Sequence, residues 1–480
     1  WNAQATYAQA MQVVSYQGAL YRNKWWTQGE TPSSSNAWQL IAASTPSPTT
    51  ISVTLPLPSR APVQVSAVPT IAPTAAPTAA PTVSPTAAPT VAPSAAPSAT
   101  PNPLVSAITP PRALTLEQPG DLGELRQAQQ RSFNHTPFQS TGYWVEPSDV
   151  LVVNFHFTGS APNVLPEIWI HNIDDNTWNY ASTQKERLKV GSTTINAKQR
   201  GIVYVAVSNQ PTTGQLKLEL VSGGRAMPRF TLGTNQAGDW EKMLASYGDA
   251  PYGELVSPRI MLTASLAKMQ QHVDDPAAVL TTWDEVVRLT EEQYGIKPGN
   301  AYPHQATPHR FHYVELAPYD GWMYSWQYRM ASVSADGAMR SVLNSRTLRS
   351  DGWGPWHELG HQYQISSFTW RDQTEVTVNL TSAYVQRGLG QPSRYEQEGV
   401  WTKTMQYLAQ PKRDFALQDD VFVRATMFWQ LDLTFGRDFY AKLGKNYRSM
   451  PTLQSNDELE QQTFIVETSR VAGFDLTPFF

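Results

Sequence analysis

The chain of 480 residues contains no cysteine, which removes disulfides, thiolate nucleophiles and thiolate metal sites. Histidine and the carboxylates are left as the strong ligands for a transition metal. Charge is also scarce: 16% of residues are charged, 36 Lys and Arg stand against 40 Asp and Glu, and the formal net charge is -4. No basic run offers a footprint for a phosphate backbone, so no nucleic acid is expected as a partner. Nor does any stretch approach the roughly 18 apolar residues that span a bilayer; the most apolar late segment is interrupted by Arg424 and Asp432. No G-x-S-x-G elbow occurs, which disfavours an α/β-hydrolase. The first residues lack a charged region followed by an apolar one, and the chain reads as a secreted protein whose signal has been removed.

What is abundant is aromatic and proline residues, with 16 Trp, 20 Tyr and 37 Pro. From residue 43 to 102 the composition collapses to Ala, Pro, Thr, Ser and Val, with Arg60 the sole charge. Within it prolines recur every fourth residue from Pro69 to Pro101. Each fixes its own φ and pushes its predecessor out of the helical region, predicting an extended, polyproline-like linker. At about 3.1 Å per residue, the periodic part alone reaches on the order of 100 Å. Such a spacer implies independently folded parts on either side.

Ahead of it, residues 1–42 alternate short β-type runs with Gly and Asn turns: Val13-Val14-Ser15-Tyr16-Gln17-Gly18, then Tyr21-Arg22-Asn23-Lys24-Trp25-Trp26-Thr27-Gln28-Gly29, then Pro32 and Trp38. This stretch resembles the small chitin-binding modules appended to bacterial chitinases. The resemblance implies a β carbohydrate-binding module that stacks aromatic rings on N-acetylhexosamine-containing glycans or chitin. It places Trp25 and Trp26 at the binding platform and makes Tyr16, Tyr21 and Trp38 structural.

Beyond the linker, residues 103–238 carry β-rich runs such as 150–157, 167–170 and 201–207, bounded by turn residues. They predict a β-sandwich. Residues 239–480 show helical patterns around 240–246, 277–294 and much of 401–447, and read as a mainly α-helical catalytic domain.

That last region contains Trp356-His357-Glu358-Leu359-Gly360-His361. On a helix His357 and His361 project from one face and can share one zinc ion, while Glu358 can face a water on that metal and take its proton. A catalytic zinc needs a third protein ligand, yet no histidine follows His361. The next carboxylates are Asp372 and Glu375. If the stretch from Glu375 is helical, Glu375, Asn379 and Ser382 share a face and could bring a ligand and its hydrogen-bonding support together. The β-branched Val376, Thr377, Val378 and Thr381 favour a strand on propensity alone.

The pairing of Gly354-Pro355-Trp356-His357-Glu358-Leu359-Gly360-His361-Gln362-Tyr363-Gln364 with Glu375-Val376-Thr377-Val378-Asn379-Leu380 resembles the enhancin-like zinc metallopeptidases, family sixty of the metallopeptidases. Ala250-Pro251-Tyr252-Gly253-Glu254-Leu255, Gly223-Gly224 with Pro228-Arg229-Phe230, and Ser140-Thr141-Gly142-Tyr143-Trp144-Val145 extend the likeness over residues 104–480. It implies a gluzincin site in a multidomain enzyme: one Zn2+ per chain on His357, His361 and Glu375, with Glu358 as general base. It also implies an O-glycosylated, mucin-type glycoprotein substrate, cut beside a sugar-bearing Ser or Thr. The chain departs from the family's common pattern at Gln362, where Asn is frequent, and at 323–330, where a Gly-Tyr-Pro is absent.

Weaker candidates are Arg371 and Asp372, which could grip a sugar hydroxyl or the peptide backbone, against a surface ion pair or helix cap. His304, His309 and His312 could form a second metal site, against a polar loop or strand. Tyr384 could donate to an oxyanion, against a place in the core. Two other functions compete. A glycan-binding adhesin with a peptidase-like domain has no need of Glu358, and a chitin-degrading enzyme is suggested by the N-terminal module alone.

Overall fold

A computed structural model of the chain describes residues 108–480, apart from 174–179, 181, 317–320 and 454–455. Within the first 43 residues it describes 2, 6–7, 13–17, 19–23, 27–28, 31–34 and 38–43. The chain divides into two compact units, Trp1–Pro97 and Ser98–Phe480.

In the first unit Val13–Tyr16, Ala19–Asn23 and Trp38–Ala43 form a three-stranded antiparallel sheet, and Thr6–Tyr7 pairs with Thr27–Gln28. Trp38 is buried, and the half-buried rings of Tyr16 and Tyr21 meet edge to face with centroids 6.4 Å apart. Trp25 and Trp26 lie outside the described residues.

The second unit stacks three sheets and a helical layer. The outer sheet runs in the order Gly191–Asn196, Val150–Phe157, Leu216–Ser222 and Ala113–Leu116. The middle sheet comprises Gln184–Arg187, Glu167–His171, Gly201–Ala206, Phe138–Val145 and Arg225–Ala226. The strand Gly201–Ala206 shows how they stack. Its residues alternate between faces, so Val203 and Val205 pack with Val153, Phe155 and Leu218 of the outer sheet. Ile202, Tyr204 and Ala206 turn the other way and pack with Met261, Val314 and Ala331.

Those last residues belong to an inner, mixed sheet of six strands: Arg229–Thr231, Tyr252–Val256, Ile260–Ser265, Phe311–Leu316, Arg329–Val333 and, at the edge, Met323–Trp326. Its far face, with Ile260, Leu262, Phe311, Tyr313 and Met330, closes against Trp283, Trp356, Leu359, Val376 and Leu380 of the helices. The region after 239 is therefore mixed, where the sequence reading expected it mainly α-helical. Helices dominate only beyond Asp336. The inner sheet also takes its first strand from Arg229–Thr231, on the sandwich side of the 238/239 boundary drawn from composition.

The segment between Ala128 and Phe138 crosses from the sandwich to the helices. Gln130 donates through Nε2 to the carbonyls of Tyr447 at 2.5 Å and Met450 at 2.9 Å, and accepts from the Ser367 hydroxyl at 2.6 Å. The Gln130 carbonyl accepts from the Ser366 N–H, Arg131 bridges Ile365, and His135 Nε2 lies 3.3 Å from the Gln362 carbonyl. Among the described residues no helix is long and apolar enough to cross a membrane.

The middle and inner sheets share a polar seam. Glu254, fully buried, accepts from Ser140, from Tyr204 at 2.8 Å and from Thr263 at 3.0 Å, and Thr263 lies 2.9 Å from His312 Nε2. Burial pushes the Glu254 carboxyl up despite these bonds. Burial also holds His135 and His312 well below the usual histidine range, and lowers His171 and His309 to about 3. These four rings stay neutral in the fold but take protons near pH 6.5 once unfolded. Their stabilising contribution is complete above about pH 6.5 and declines as pH falls below it, down to about 3 for His171 and His309. Glu254 acts in the opposite sense, so the informative quantity is a difference. The thermal midpoint of wild type is expected to drop more steeply between pH 7 and 5 than that of His171→Gln. Parallel profiles would contradict the assignment.

Candidate metal centre

The helix Trp353–His361 begins after Gly352 and carries Pro355 in its first turn, where a missing N–H leaves no intrahelical bond unmade. The helix Thr374–Gly388 packs across it. Gly360 permits the close approach, since a Cβ there would meet Val378 Cγ2 at 2.8 Å and Thr381 Cβ at 3.0 Å. The second helix forms despite its β-branched residues because Val376, Leu380 and Ala383 bury in the main core.

Glu375, Asn379 and Ser382 face the first helix, as the i, i+4, i+7 spacing predicts. Glu375 Oε2 lies 3.0 Å from His357 Nε2, Glu375 Oε1 lies 3.7 Å from His361 Nε2, and the two Nε2 atoms are 3.1 Å apart. Asn379 Oδ1 is 3.2 Å from His357 Nδ1, and the Ser382 hydroxyl donates to the Trp353 carbonyl at 3.3 Å. Among the described residues, His357, His361 and Glu375 are the one group of three whose donor atoms converge closely enough for a metal ion, all within 4.8 Å of one another.

Glu358 sits beside them, 6% exposed, with its Oε2 buried and lacking a hydrogen-bond partner. A buried, unsatisfied carboxylate oxygen is costly and calls for a use. Burial pushes the Glu358 carboxyl up; positive charge on His357 and His361 pulls it back, and Glu375 pushes it up again. For His361 burial would lower the ring, but the bond to Glu375 and the charges of Glu358 and Glu375 outweigh it and push it up to about 9. Burial opposes ionisation of Glu375, yet the two histidines hold its carboxyl well below the usual range.

The other candidates fall elsewhere. Arg371 pairs with Asp457, Nε to Oδ2 at 3.3 Å, and is exposed. The exposed Asp372 adopts φ +64, its carbonyl accepting from Arg424 Nη1 at 3.0 Å. Tyr384 is buried and donates to Glu292 at 2.9 Å, a core position. His304 accepts from Arg448, whereas His309 and His312 are buried in separate surroundings, so these three do not gather. The strand Met323–Trp326 does lie against the first site helix: a Cβ on Gly354 would meet Met323 Sδ at 2.7 Å, and Gln362 Nε2 donates to Ser325 Oγ and the Trp326 carbonyl.

Sequence reasoning missed Gln364 and Trp353, both hydrogen-bonded into the centre. Gln364 lies three residues after His361, just past the end of the helix, and that nearness was the available signal.

The family described as Peptidase M60, enhancin and enhancin-like matches residues 223–480, and carbohydrate-binding module family 5/12 matches residues 1–39. A functionally unknown conserved protein from Bacillus anthracis str. Ames is 33% identical with TM-score 0.71, the alignment covering 77% of this chain and 74% of that one. The M60 catalytic domain of Clostridium perfringens ZmpC, solved in complex with the sialyl T antigen, shares the fold with TM-score 0.62 at 16% identity, over 76% of this chain and 75% of that one. Human TRPM8 channel-associated factor 2 is 26% identical over 290 residues, 58% of this chain and 30% of the relative. The chain thus spans about three tenths of the length of the first curated relatives it matches.

Proposed function

Because this chain belongs to the peptidase M60, enhancin and enhancin-like family, we propose that it is a secreted zinc endopeptidase that cleaves O-glycosylated, mucin-type glycoproteins beside a glycosylated Ser or Thr. The observation that carries this reading is the convergence of His357, His361 and Glu375 next to the unpartnered carboxylate of Glu358. Two imidazole nitrogens and a carboxylate are a donor set suited to zinc with a position left open. A zinc ion held there supplies Lewis acidity, making a water acidic enough to lose a proton near neutral pH and drawing electrons from a carbonyl.

The chain's residues do the rest. Glu358, on the same helix as both histidines, accepts the water's proton and returns it to the departing amide nitrogen. The edge strand Met323–Trp326, against that helix, offers a border along which an extended peptide can lie. A glycan requirement is supported by the family and by the relative captured with the sialyl T antigen.

Incubation with a mucin and with its enzymatically deglycosylated form, each with and without a chelator, tests the proposal. Fragments are expected from the glycosylated form alone, lost with chelator and restored by zinc. Equal cutting of both forms would overturn the sugar requirement, and chelator-resistant cutting would overturn the zinc. The module, in turn, is proposed to hold N-acetylhexosamine-containing glycans or chitin through Trp25 and Trp26. Trp25→Ala or Trp26→Ala should weaken retention on insoluble glycan and leave turnover of a small glycopeptide unchanged; a change in that turnover would contradict an independent tether.

A further inference from the structure

We propose that Gln364 is a positioning residue that fixes the tautomer of His361 and locks it to the backbone turn bearing Glu375, so that the metal ligands are assembled before the ion arrives. This rests on the zinc reading above and concerns a residue that the metalloprotease motif does not include.

The argument turns on which way the Gln364 amide faces. Its Nε2 lies 2.7 Å from the Thr374 carbonyl and 2.8 Å from Thr377 Oγ1, and its Oε1 lies 2.7 Å from His361 Nδ1. A carbonyl can only accept, so the NH2 end must face Thr374. The Thr377 hydroxyl gives its single proton to the Gln373 carbonyl at 3.0 Å, so toward Gln364 it too can only accept. Both amide protons are committed, and the amide cannot flip without setting acceptor against acceptor in a buried site, where Gln364 is 3% exposed and Thr377 2%. Oε1 therefore faces His361 and needs a donor, which keeps a proton on Nδ1 and makes Nε2 the nitrogen that presents a lone pair once a metal ion binds. That nitrogen is the one beside His357 Nε2 and Glu375.

An independent arrangement of the same logic holds His357. Asn379 Nδ2 donates to the Glu375 carbonyl at 2.7 Å, and Asn379 Oδ1 accepts from the indole N–H of Trp353, which has no acceptor to offer. Oδ1 thus faces His357 Nδ1 at 3.2 Å and requires its proton. Each histidine is held by an amide whose NH2 end is bonded to the first turn of the helix Thr374–Gly388, the turn that presents Glu375. The two amides set ring orientation, tautomer and helix register together. Partners of this kind are typically worth 10–100-fold in metal affinity.

The test is a thermodynamic cycle on the full-length chain, read as zinc affinity by competition with a chromophoric chelator. Gln364→Met keeps shape and removes polarity, and is expected to weaken zinc binding by about 10–100-fold. Thr377→Val leaves Gln364 and its bond to the Thr374 carbonyl in place but removes the second of the two acceptors that hold the amide, and is expected to weaken binding several-fold. The double variant is expected to match Gln364→Met alone, because Thr377 acts through Gln364. Thermal unfolding of the zinc-free proteins separates positioning from loss of fold: each variant should still unfold in one cooperative transition above the temperature of the affinity measurement, so that the fall in affinity belongs to folded protein. If Gln364→Met does not fold, a several-fold effect of Thr377→Val supports the inference and its absence overturns it. Affinity of Gln364→Met within threefold of wild type, or additive losses in the double variant, would overturn it as well. Wild type that takes up no zinc would instead overturn the metal reading itself, so the two failures are distinguishable.

Discussion

Glu358→Gln is expected to bind one zinc per chain as wild type does and to turn over a glycopeptide roughly 10²–10⁴-fold more slowly, the usual worth of a positioned general base. The geometry separates the two effects. The converging donors belong to His357, His361 and Glu375, and Glu358 is not among them, so the ligand set survives the change. What is lost is a carboxylate whose Oε2 is buried and unpartnered. Glutamine matches its shape but cannot take up a proton. A protein that used this centre only to recognise glycans would not register the substitution, since binding needs no proton acceptor. Metal content by atomic emission, with kcat on a defined glycopeptide, decides the matter. Activity within tenfold of wild type would remove Glu358 from the chemistry, and loss of the metal would make it a ligand. His361→Ala is the companion, expected to lose zinc and activity together.

The second large effect concerns how much of the chain the centre needs. The family match begins at residue 223, but a chain starting there is expected neither to unfold cooperatively nor to bind zinc stoichiometrically. Removing the sandwich uncovers Tyr252, Val256, Met261, Val314, Leu316 and Tyr324 on the inner sheet. At about 1.5–3 kcal/mol for each such side chain, the loss is on the order of 10 kcal/mol, comparable with the whole net stability of a domain. Glu254 would also lose Ser140 and Tyr204 as donors, and Ile365, Ser366 and Ser367, between the two site helices, would lose Gln130 and Arg131. Residues 98–480 should behave normally, as one compact unit. Circular dichroism melts and metal content of the two fragments test this; a sharp transition with bound zinc in 223–480 would refute it.

The contrast between these two predictions shows what was legible in the sequence. The His-Glu-x-x-His spacing and the i, i+4, i+7 face from Glu375 are local, and the structure brings those side chains together although propensity favoured a strand. The inner sheet was hidden for a physical reason. Tyr252–Val256, Phe311–Leu316 and Arg329–Val333 are buried at every position, since sheet or helix covers each face. Such strands lose the polar-apolar alternation that distinguishes a strand from a buried helix. Gln364 and Gln130 were illegible differently. Each is an ordinary polar residue whose role depends on partners, close in sequence for Gln364 but 317 residues away in the bond from Gln130 to Tyr447.

That last separation also sets the order in which the centre and its support are completed. Gln130 cannot be satisfied until Tyr447 and Met450 have been made, and at about 5–20 residues per second translation takes on the order of half a minute to get there. Toward the end of that interval His357, Glu358, His361 and Glu375 exist as a linear sequence, while the support that clamps the loop between their helices is incomplete. Closing a loop of that length is entropically unfavourable until its contacts are in place. A chain interrupted before Tyr447 and Met450 is therefore expected to carry all four site residues without the clamp that holds the loop between their helices.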